Sequence, residues 1–375
     1  MGFISSNFVR HLLEETEHEV VTLDALTYAG NLENLADVMS HPRLEFVHGD
    51  IRDAGLVDEV VGGVDVIVNA AAESHVEKSI RDGASEFVTT NVEGTQILLD
   101  AIRARPVERF LLVSSSEVYG TAEYAPMDER HPLEPRSPYA ATKAGADRLA
   151  YSYWVTYDLP VVVVRPFNNY GPRQHPEKVV PRFITQALSG EALTVHGDGH
   201  ASRDWLYVDD TASAIEAIIA APLESVAGDV VNVATGIDIS VVDIAQLVLE
   251  AVGDPTVEVV HVDDTASAIE ALIDAPLDAV AGEVVNVATG ADLSVSEIAR
   301  LVLEAVGDPT VEVVHVEERP GQVDRHIGST DKLARLTGWR ASTSFSDGLE
   351  RTIAWYRDNE AWWRGILGRD RVSSS

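Results

Sequence analysis

The stretch F-L-L-V-S-S-S-E-V-Y-G at residues 110–120 is an apolar run that ends in three hydroxyls and a carboxylate. It predicts a buried strand at residues 110–113, because strands of parallel sheets are apolar on both faces. The polar residues that follow then lie at the carboxyl end of this strand, where open α/β sheets bind their ligands. A second stretch, S-P-Y-A-A-T-K at residues 137–143, begins a helical pattern. Its Tyr139 and Lys143 share one helix face because they are four residues apart.

Tyr139 and Lys143 form a pair suited to removing a proton from an alcohol. A nearby ammonium group favours the phenolate and lowers the pKa of the phenol toward the working pH, which makes the phenol a usable base. The same spacing is also common among ordinary pairs on a helix surface. The hydroxyl-rich strand end is what argues against that alternative.

The chain has 375 residues, 45% of them hydrophobic, and can bury a large core. We expect a dinucleotide-binding domain over residues 1–165, followed over residues 166–375 by a mixed substrate-binding region that returns in part to the same sheet. The absence of cysteine excludes thiol nucleophiles, disulfides and thiolate metal sites. No apolar run approaches the roughly 18 residues of a membrane span, and no signal pattern opens the chain. We therefore expect a cytoplasmic protein with no membrane partner.

The formal net charge of −33 is spread along the whole chain. Such a surface repels nucleic acid and excludes it as a partner. Only four of the 28 basic residues are lysine, namely Lys78, Lys143, Lys178 and Lys332. Dispersed acid with few lysines is typical of the cytosolic proteins of salt-accumulating halophiles, where screening over about 3 Å removes the self-repulsion. An acidic mesophilic protein is the alternative.

Further motifs accompany these two stretches. They are A-A-E-S-H-V at residues 71–76, L-T-Y-A-G-N-L at residues 26–32 and R-P-F-N-N-Y-G-P-R-Q at residues 165–174. As a set, the motifs resemble the extended short-chain dehydrogenase/reductase family, most closely its nucleotide-sugar 4,6-dehydratases. The resemblance covers nearly the whole chain. It implies an α/β fold, a Rossmann-like doubly wound parallel sheet with a smaller C-terminal substrate domain, and it implies NAD as cofactor, a nucleotide-diphosphate sugar as substrate and a homodimer.

The glycine turn of this family is incomplete at the start of the chain. Residues 1–13 already read as a helix with no strand before it; Gly2 matches the second glycine and Ser5 replaces the third. The first strand is therefore expected to be missing, through a misplaced start or a damaged gene product. Asp24 ends a strand predicted at residues 19–23, where a carboxylate can accept both ribose hydroxyls and favours NAD over NADP. The resemblance assigns the cofactor to Gly2, Phe3, Ile4, Asp24, Leu26, Thr27, Asp50, Ile51, Ala70, Ala71, Ala72, Thr90, Tyr139, Lys143 and Asn169.

The substrate contacts also follow from the resemblance. They are Ser74, His75, Asn168, Lys178, Arg203, Asn232, Asn286 and Arg319. The guanidinium fork of Arg203 suits the diphosphate. His75 has no second histidine or carboxylate at ligand spacing, so we expect no metal site.

Residues 209–262 and 263–316 are two copies of one 54-residue unit that differ at ten positions. Each copy reads as helix, strand, helix, strand, and two copies are too few for a solenoid. The family carries this unit once, so we expect one copy to fill the family's place and the other to form an added lobe. The sequence leaves open which copy fills that place, and with it whether Asn232 or Asn286 contacts the nucleotide.

The resemblance also implies a mechanism. Tyr139 takes the proton of the sugar C4 hydroxyl, with Lys143 beside it and Ser115 holding the oxygen, while NAD accepts hydride. Glu117 then removes the C5 proton, water leaves from C6 and the hydride returns there. Ser116 stands where the typical enzyme of this branch has an aspartic acid, so either Glu117 serves both steps or the reaction differs. UDP-glucuronate decarboxylation, 4-epimerisation and an inactive family member are the alternatives.

Overall fold

The computed structural model describes residues 1–191, 193–195, 201–252, 259–261 and 325–373. The helices are α1 (Phe3–Glu15), α2 (Ala54–Val61), α3 (Val76–Arg81), α4 (Ser85–Phe87), α5 (Gly94–Ala104), α6 (Pro138–Tyr157), α7 (Val179–Leu188), α8 (Val208–Ala220), α9 (Leu223–Val226), α10 (Val241–Val252), α11 (Asp331–Thr337), α12 (Phe345–Asp358) and α13 (Glu360–Ser373). The strands are β1 (Val20–Asp24), β2 (Leu44–His48), β3 (Val66–Asn69), β4 (Arg109–Val113), β5 (Val161–Pro166), β6 (Asn168–Tyr170), β7 (Leu193–Val195), β8 (Ser202–Tyr207), β9 (Val230–Val233), β10 (Asp238–Ser240), β11 (Val259–His261) and β12 (Arg325–His326). Short 3-10 helices span Leu32–Leu35 and Ser116–Tyr119, and a π-helical stretch spans Val88–Glu93. None of the described helices is long and apolar enough to cross a membrane.

Parallel strands form the core of the first region. The larger sheet has the order β3, β4, β5, β9, and each neighbouring pair is parallel. β4 and β5 are buried along their whole length, and apart from Arg109 and Arg165 their residues are apolar. Because the strands are parallel, their carboxyl ends lie at one edge of the sheet. The predicted strand at residues 110–113 and the helix that begins near Tyr139 are confirmed as β4 and α6.

The parallel strands are divided between two sheets. β1 and β2 form a separate pair, and within the described ranges no strand lies hydrogen-bonded between β1 and β3. Leu23 of β1 and Val68 of β3 are only half-buried, whereas the strands β4 and β5 are fully buried. The helix expected near the start of the chain is present as α1.

The second region packs around a core of its own. β6, β10 and β12 all pair with β8. The helices α7, α10, α12 and α13 contribute to one apolar cluster that buries Phe183, Tyr356 and Trp363. β9 pairs with β5, so one strand from residues 166–375 lies in the first sheet.

The first copy of the repeat is built into this fold. Its helix α8 packs against α1, its strand β9 completes the larger sheet, and its helix α10 packs on α7. The second copy, residues 263–316, lies outside the described residues, as do Asn286 and Arg319. Which copy takes the family's place, and the added lobe, stay predictions.

A buried arginine closes the end of α8. Arg109, at the start of β4, donates to the carbonyl oxygens of Ile218, Ile219 and Ala221, the last at 2.7 Å. These carbonyls have no partner within their own helix, and the guanidinium also meets the negative end of the helix dipole. Burial lowers the pKa of Arg109. The contact joins the central strand of the sheet to the first repeat copy.

Candidate active site

A polar turn after β4 carries the predicted catalytic residues. Ser115 begins it, because its Oγ accepts a hydrogen bond from the Glu117 amide at 3.2 Å and caps the 3-10 helix that follows. Gly120 ends it with a φ of +73°, and a Cβ there would lie 2.1 Å from the Glu134 carbonyl oxygen. The turn is therefore held at both ends, with the Glu117 side chain partly exposed.

Tyr139 reaches this turn from the beginning of α6. The helix starts at Ser137, whose Oγ accepts from the Ala140 amide at 3.1 Å. The Tyr139 phenol is hydrogen-bonded to Ser115 and feels the charge of Glu117. Burial raises the pKa of Tyr139 to about 12, and the Ser115 hydrogen bond only partly opposes this. The structure thus brings Ser115, Glu117 and Tyr139 together, and their catalytic roles stay a prediction.

Lys143 lies one turn further along α6 and is buried. Its Nζ donates to the Val113 carbonyl oxygen at 2.6 Å. Burial lowers the pKa of Lys143 to about 8, and the charge of Asp147 opposes this fall. The prediction that Lys143 lowers the pKa of Tyr139 is wrong for this structure. The ammonium group faces the strand carbonyl, and burial dominates at the phenol.

A buried chain of polar groups connects α6 to the first repeat copy. Arg165 donates from Nε and Nη2 to Asp147 at 2.8 and 3.0 Å, and from Nη1 to the Tyr119 hydroxyl at 2.9 Å. Tyr119 donates in turn to Asn232 Oδ1 at 2.7 Å, and Asn232 Nδ2 donates to the Met127 carbonyl oxygen at 3.1 Å. The amide of Asn232 is therefore used inside the protein. The prediction that it contacts the nucleotide is wrong for this structure.

A buried histidine that no sequence motif revealed lies against the catalytic turn. His326 of β12 donates from Nε2 to the Gly120 carbonyl oxygen at 2.6 Å, and its Nδ1 lies 4.0 Å from Glu117 Oε1. Its ring packs edge-on to Phe167 with the centroids 5.9 Å apart. In the sequence, His326 follows directly after the stretch R-P-G-Q-V-D-R at residues 319–325, which alone does not mark it as functional.

The N-terminus of α1 has features of a pyrophosphate-binding site. Gly2 is the N-cap, no side chain caps the first amides, and a Cβ on Gly2 would meet nothing within 4 Å. Uncapped amides at a helix N-terminus bind phosphate oxygens. Asp24 ends β1, and its carboxylate accepts from the Leu26 amide at 2.7 Å and from the Met1 α-ammonium at 2.6 Å. These residues fit the pyrophosphate and a ribose of a dinucleotide.

Two residues assigned to the cofactor form bonds within the protein. Arg52 donates to Asp50 at 2.6 to 3.1 Å and holds the pKa of that carboxyl below its usual value. Asn169 is buried, donates to the Phe167 carbonyl oxygen at 2.9 Å and accepts from the Thr211 hydroxyl. Asn169 is thus turned inward, and its prediction as a cofactor contact is wrong for this structure. Asp50 stays partly exposed beyond the end of β2.

The other predicted cofactor residues lie near the carboxyl ends of β1, β2 and β3 or on the helical stretch beside them. The Thr27 hydroxyl is hydrogen-bonded to Glu73. The Ala71 amide donates to Asn69 Oδ1 at 3.2 Å at the end of β3. Ile51, Ala70 and Ala72 follow their strands directly, and Thr90 lies in the π-helical stretch.

Several predicted substrate residues meet across two loops. Ser74 Oγ lies 3.2 Å from the Tyr28 hydroxyl, and His75 Nε2 lies 3.2 Å from Glu177. Lys178 Nζ lies 3.1 Å from the same carboxylate. Burial works against ionisation of Glu177, but the hydrogen bond from His75 and the charge of Lys178 outweigh it and lower the pKa to about 2. The hydrogen bond from His75 to Glu177 therefore joins the two loops.

Arg203 and Asn168 lie on neighbouring strands of the second region. Asn168 on β6 is opposite Trp205 on β8, and its Nδ2 is buried without a hydrogen-bond partner among the described residues. Arg203 is opposite His326 and donates to the Ser202 carbonyl oxygen at 2.9 Å. A buried amide without a partner marks a place where a ligand can accept a hydrogen bond. In the part of the chain that is described, no group of three His, Asp or Glu side chains has the arrangement of a metal site.

The fold and the site together define a class: NAD-dependent short-chain dehydrogenases/reductases that act on nucleotide sugars. The family model described as GDP-mannose 4,6 dehydratase matches residues 1–352, and the chain belongs to this family. The predicted fold class, family and cofactor type are confirmed.

Individual relatives agree with the family. Low-salt glycan biosynthesis protein Agl12 of Haloferax volcanii is 51% identical, over 95% of this chain and 96% of its own length. A dTDP-glucose 4,6-dehydratase of Streptomyces niveus is 38% identical over 100% of this chain and 96% of its own. The crystal structure of DesIV, a dTDP-glucose 4,6-dehydratase from Streptomyces venezuelae with NAD bound, is 38% identical, covers 97% of both chains and has a TM-score of 0.77.

Proposed function

We propose that this chain catalyses the NAD-dependent 4,6-dehydration of a nucleotide-diphosphate hexose. The Glu117 carboxylate beside the Tyr139 phenol supports this most directly. Oxidation or epimerisation at C4 needs one acid/base group at the C4 oxygen, whereas elimination across C5 and C6 needs a second one. The dehydratase names of the relatives support the same reaction.

Tyr139 takes the proton from the C4 hydroxyl, and Ser115 orients the phenol through their hydrogen bond. NAD, when bound, would accept the hydride from C4 and give it back at C6, and one proton taken up at C5 balances the proton that Tyr139 removed. Because burial raises the pKa of Tyr139 to about 12, the phenol ionises only with help from a positive charge. Lys143, whose pKa is lowered only to about 8, is mostly protonated at neutral pH, but its ammonium donates to the Val113 carbonyl oxygen in this structure. Its role in the reaction therefore requires the ammonium to turn from that carbonyl toward the phenol when cofactor and substrate are bound.

Glu117 serves both proton transfers of the elimination. The C4 ketone acidifies C5, and the carboxylate takes the C5 proton. The resulting carboxylic acid gives a proton to the C6 hydroxyl, which leaves as water, so the carboxylate is restored. Ser116 is buried and its hydroxyl is a poor acid, so it does not replace the missing aspartic acid.

The binding residues follow from the same edge of the sheet. We assign the dinucleotide to Gly2, Phe3, Ile4, Asp24, Leu26, Thr27, Asp50, Ile51, Ala70, Ala71, Ala72 and Thr90. We assign the nucleotide sugar to Ser74, His75, Asn168, Lys178 and Arg203.

Asp24→Ala should raise the dissociation constant for NAD at least about tenfold, because one or two hydrogen bonds to ribose are lost. Calorimetry in molar KCl measures this change. Unchanged affinity would remove Asp24 from the site.

The relatives named above make dTDP-glucose the first substrate to test. The purified chain in molar KCl with NAD is incubated separately with dTDP-glucose, GDP-mannose and UDP-glucuronate. We expect dTDP-glucose to yield a 4-keto-6-deoxy sugar, detected by its absorbance in alkali, and Glu117→Gln to form none. Unchanged hexose in all three incubations, or release of CO2 from UDP-glucuronate as the only reaction, would refute the dehydratase function.

We further propose that the protein is a cytoplasmic homodimer in which α6 and the neighbouring stretch Val88–Glu93 meet their copies. Exposed apolar side chains lie on these two elements, at Val88, Tyr151 and Val155. Val155→Arg should give a monomer by light scattering, whereas Ile237→Arg, at an equally exposed residue elsewhere, should not. A monomeric wild type would refute the dimer, and recovery in a membrane or secreted fraction would refute the location.

A further inference from the structure

We propose that His326 is a positioning residue that acts through Glu117: its Nδ1 accepts a hydrogen bond from the Glu117 carboxyl group while that group carries the C5 proton. This role rests on the proposed dehydratase function. His326 is completely buried, with 0% of its surface exposed. Its strand β12 pairs with β8, which fixes the ring beside the turn that carries Glu117.

The hydrogen bond to Gly120 determines the tautomer of the ring. A carbonyl oxygen can only accept, so Nε2 of His326 carries the hydrogen in the 2.6 Å contact. In the neutral ring, Nδ1 is then an acceptor. It is buried and has no hydrogen-bond partner among the described residues. A buried acceptor without a partner is costly, and its presence calls for an explanation.

The carboxylate of Glu117 lies close to this acceptor, with Nδ1 and Oε1 4.0 Å apart. Two acceptors cannot form a hydrogen bond, so the ionised carboxylate gains nothing from the ring. A protonated carboxyl group has an O–H that can donate to Nδ1 after a small side-chain rotation. The ring therefore stabilises Glu117 only in the state that follows removal of the C5 proton.

The surroundings of the ring keep it neutral. Three charged or titratable groups face it: Glu117 from the catalytic turn, Arg203 from β8 and His131 from the loop before α6. Burial lowers the pKa of His326; Arg203 and His131 act in the same direction, and Glu117 opposes them. An imidazolium would pair with the carboxylate and hold it ionised. A neutral ring favours the carboxylic acid instead.

The proton balance is unchanged by the histidine. The C5–H bond breaks and its proton moves to Glu117, whose O–H then donates to Nδ1. The proton next passes to the C6 hydroxyl, the C6–O bond breaks and water leaves. The ring ends as it began, neutral and protonated on Nε2. The ring holds the Glu117 carboxylic acid in one orientation between the two proton transfers. Its own Nδ1 is never protonated.

Two substitutions separate this role from a purely structural one. His326→Gln keeps an N–H near the place of Nε2, for the Gly120 carbonyl, and loses Nδ1. His326→Asn puts an amide oxygen near the place of Nδ1 and loses the bond to Gly120. Rapid mixing of each holoenzyme with dTDP-glucose reports C4 oxidation as nicotinamide absorbance and elimination as its decay.

In His326→Gln we expect oxidation within about 3-fold of wild type and elimination slowed about 10- to 100-fold, the effect of losing one hydrogen bond to a reacting acid. Reduced nicotinamide should then accumulate. His326→Asn should eliminate within about 3-fold of wild type. The role would be overturned if His326→Gln eliminated water as fast as wild type, or if it slowed oxidation and elimination equally. Slower elimination in His326→Asn than in His326→Gln would also overturn it.

Nitrogen NMR of the wild-type protein without cofactor tests the ring directly. We expect a neutral His326 protonated on Nε2 at neutral pH; the other tautomer, or an imidazolium, would overturn the role. This readout also separates two failures. If wild type forms no 4-keto-6-deoxy sugar, the dehydratase function fails and takes this role with it. If wild type forms the sugar but the His326 ring is an imidazolium or the other tautomer, only the role of His326 fails.

Discussion

Replacing Lys143 with methionine should abolish activity and yet make the folded protein more stable at neutral pH. The side chain is buried, and burial lowers the pKa of Lys143 from 10.5 to about 8. At about 1.4 kcal/mol per pKa unit, the ammonium costs the folded state about 3 kcal/mol. Methionine has a similar length and carries no charge. It leaves the Val113 carbonyl without its donor, which costs about 1 kcal/mol, so the net gain is about 2 kcal/mol.

The pH dependence of the stability difference tests whether the buried ammonium is its cause. The folded pKa of Lys143 lies below the unfolded one, so between about pH 8 and about pH 10.5 the unfolded chain binds more protons than the folded one. The penalty is fully present below about pH 8 and fades as the pH rises toward about 10.5. The advantage of Lys143→Met over wild type should therefore shrink from about 2 kcal/mol at neutral pH to near zero at about pH 10.

Urea unfolding in molar KCl measures this difference, since urea leaves the ionic strength fixed. Lys332→Met is the matched control, because Lys332 is partly exposed and its Nζ donates to Asp229 at 2.6 Å. We expect no gain in stability there. The reasoning would be refuted if Lys143→Met were less stable than wild type at neutral pH, or if its advantage did not change with pH. Activity should fall at least about 100-fold, the typical contribution of one acid/base component.

Two further pairs of substitutions test the buried ion pair and the packing. Arg165→Met removes two hydrogen bonds from the buried Asp147 carboxylate, which keeps only its pair with the more exposed Arg148, and should cost about 3 kcal/mol in urea unfolding. Glu360→Gln, which breaks an exposed pair on α13, should cost under about 1 kcal/mol, and equal losses would contradict the assignment. Gly228→Ala and Gly338→Ala both force alanine to a φ of +77°, but only the first adds a Cβ 2.1 Å from the Trp154 ring. Gly338→Ala should cost about 1 kcal/mol and Gly228→Ala about 1–3 kcal/mol more, and a smaller loss in Gly228→Ala would show that the ring can move aside.

Local patterns in the sequence were enough to predict the framework of the site. The apolar run at residues 110–113 predicted β4, because a strand covered on both faces must be apolar on both. The four-residue spacing placed Tyr139 and Lys143 on one helix face. Both inferences depend only on neighbours along the chain, and the structure confirms them.

Contacts between distant segments could not be predicted in the same way. The side chain of Asn232 points inward because Tyr119, more than a hundred residues earlier, donates to it. The pKa of Lys143 depends on how deeply α6 is buried, which the spacing of its residues does not report. His326 reaches Glu117 through the pairing of a two-residue strand, and so short a strand has no periodic pattern.

The capped end of α8 has a consequence for life in salt. Molar KCl screens charges over about 3 Å, so exposed pairs such as Arg10 with Asp37 contribute little there. Arg109 instead binds neutral carbonyl oxygens in a place that ions do not enter, and its hold on the helix should be the same in brine and in dilute buffer. When the salt is removed, the first damage should therefore come from repulsion among the acidic residues outside.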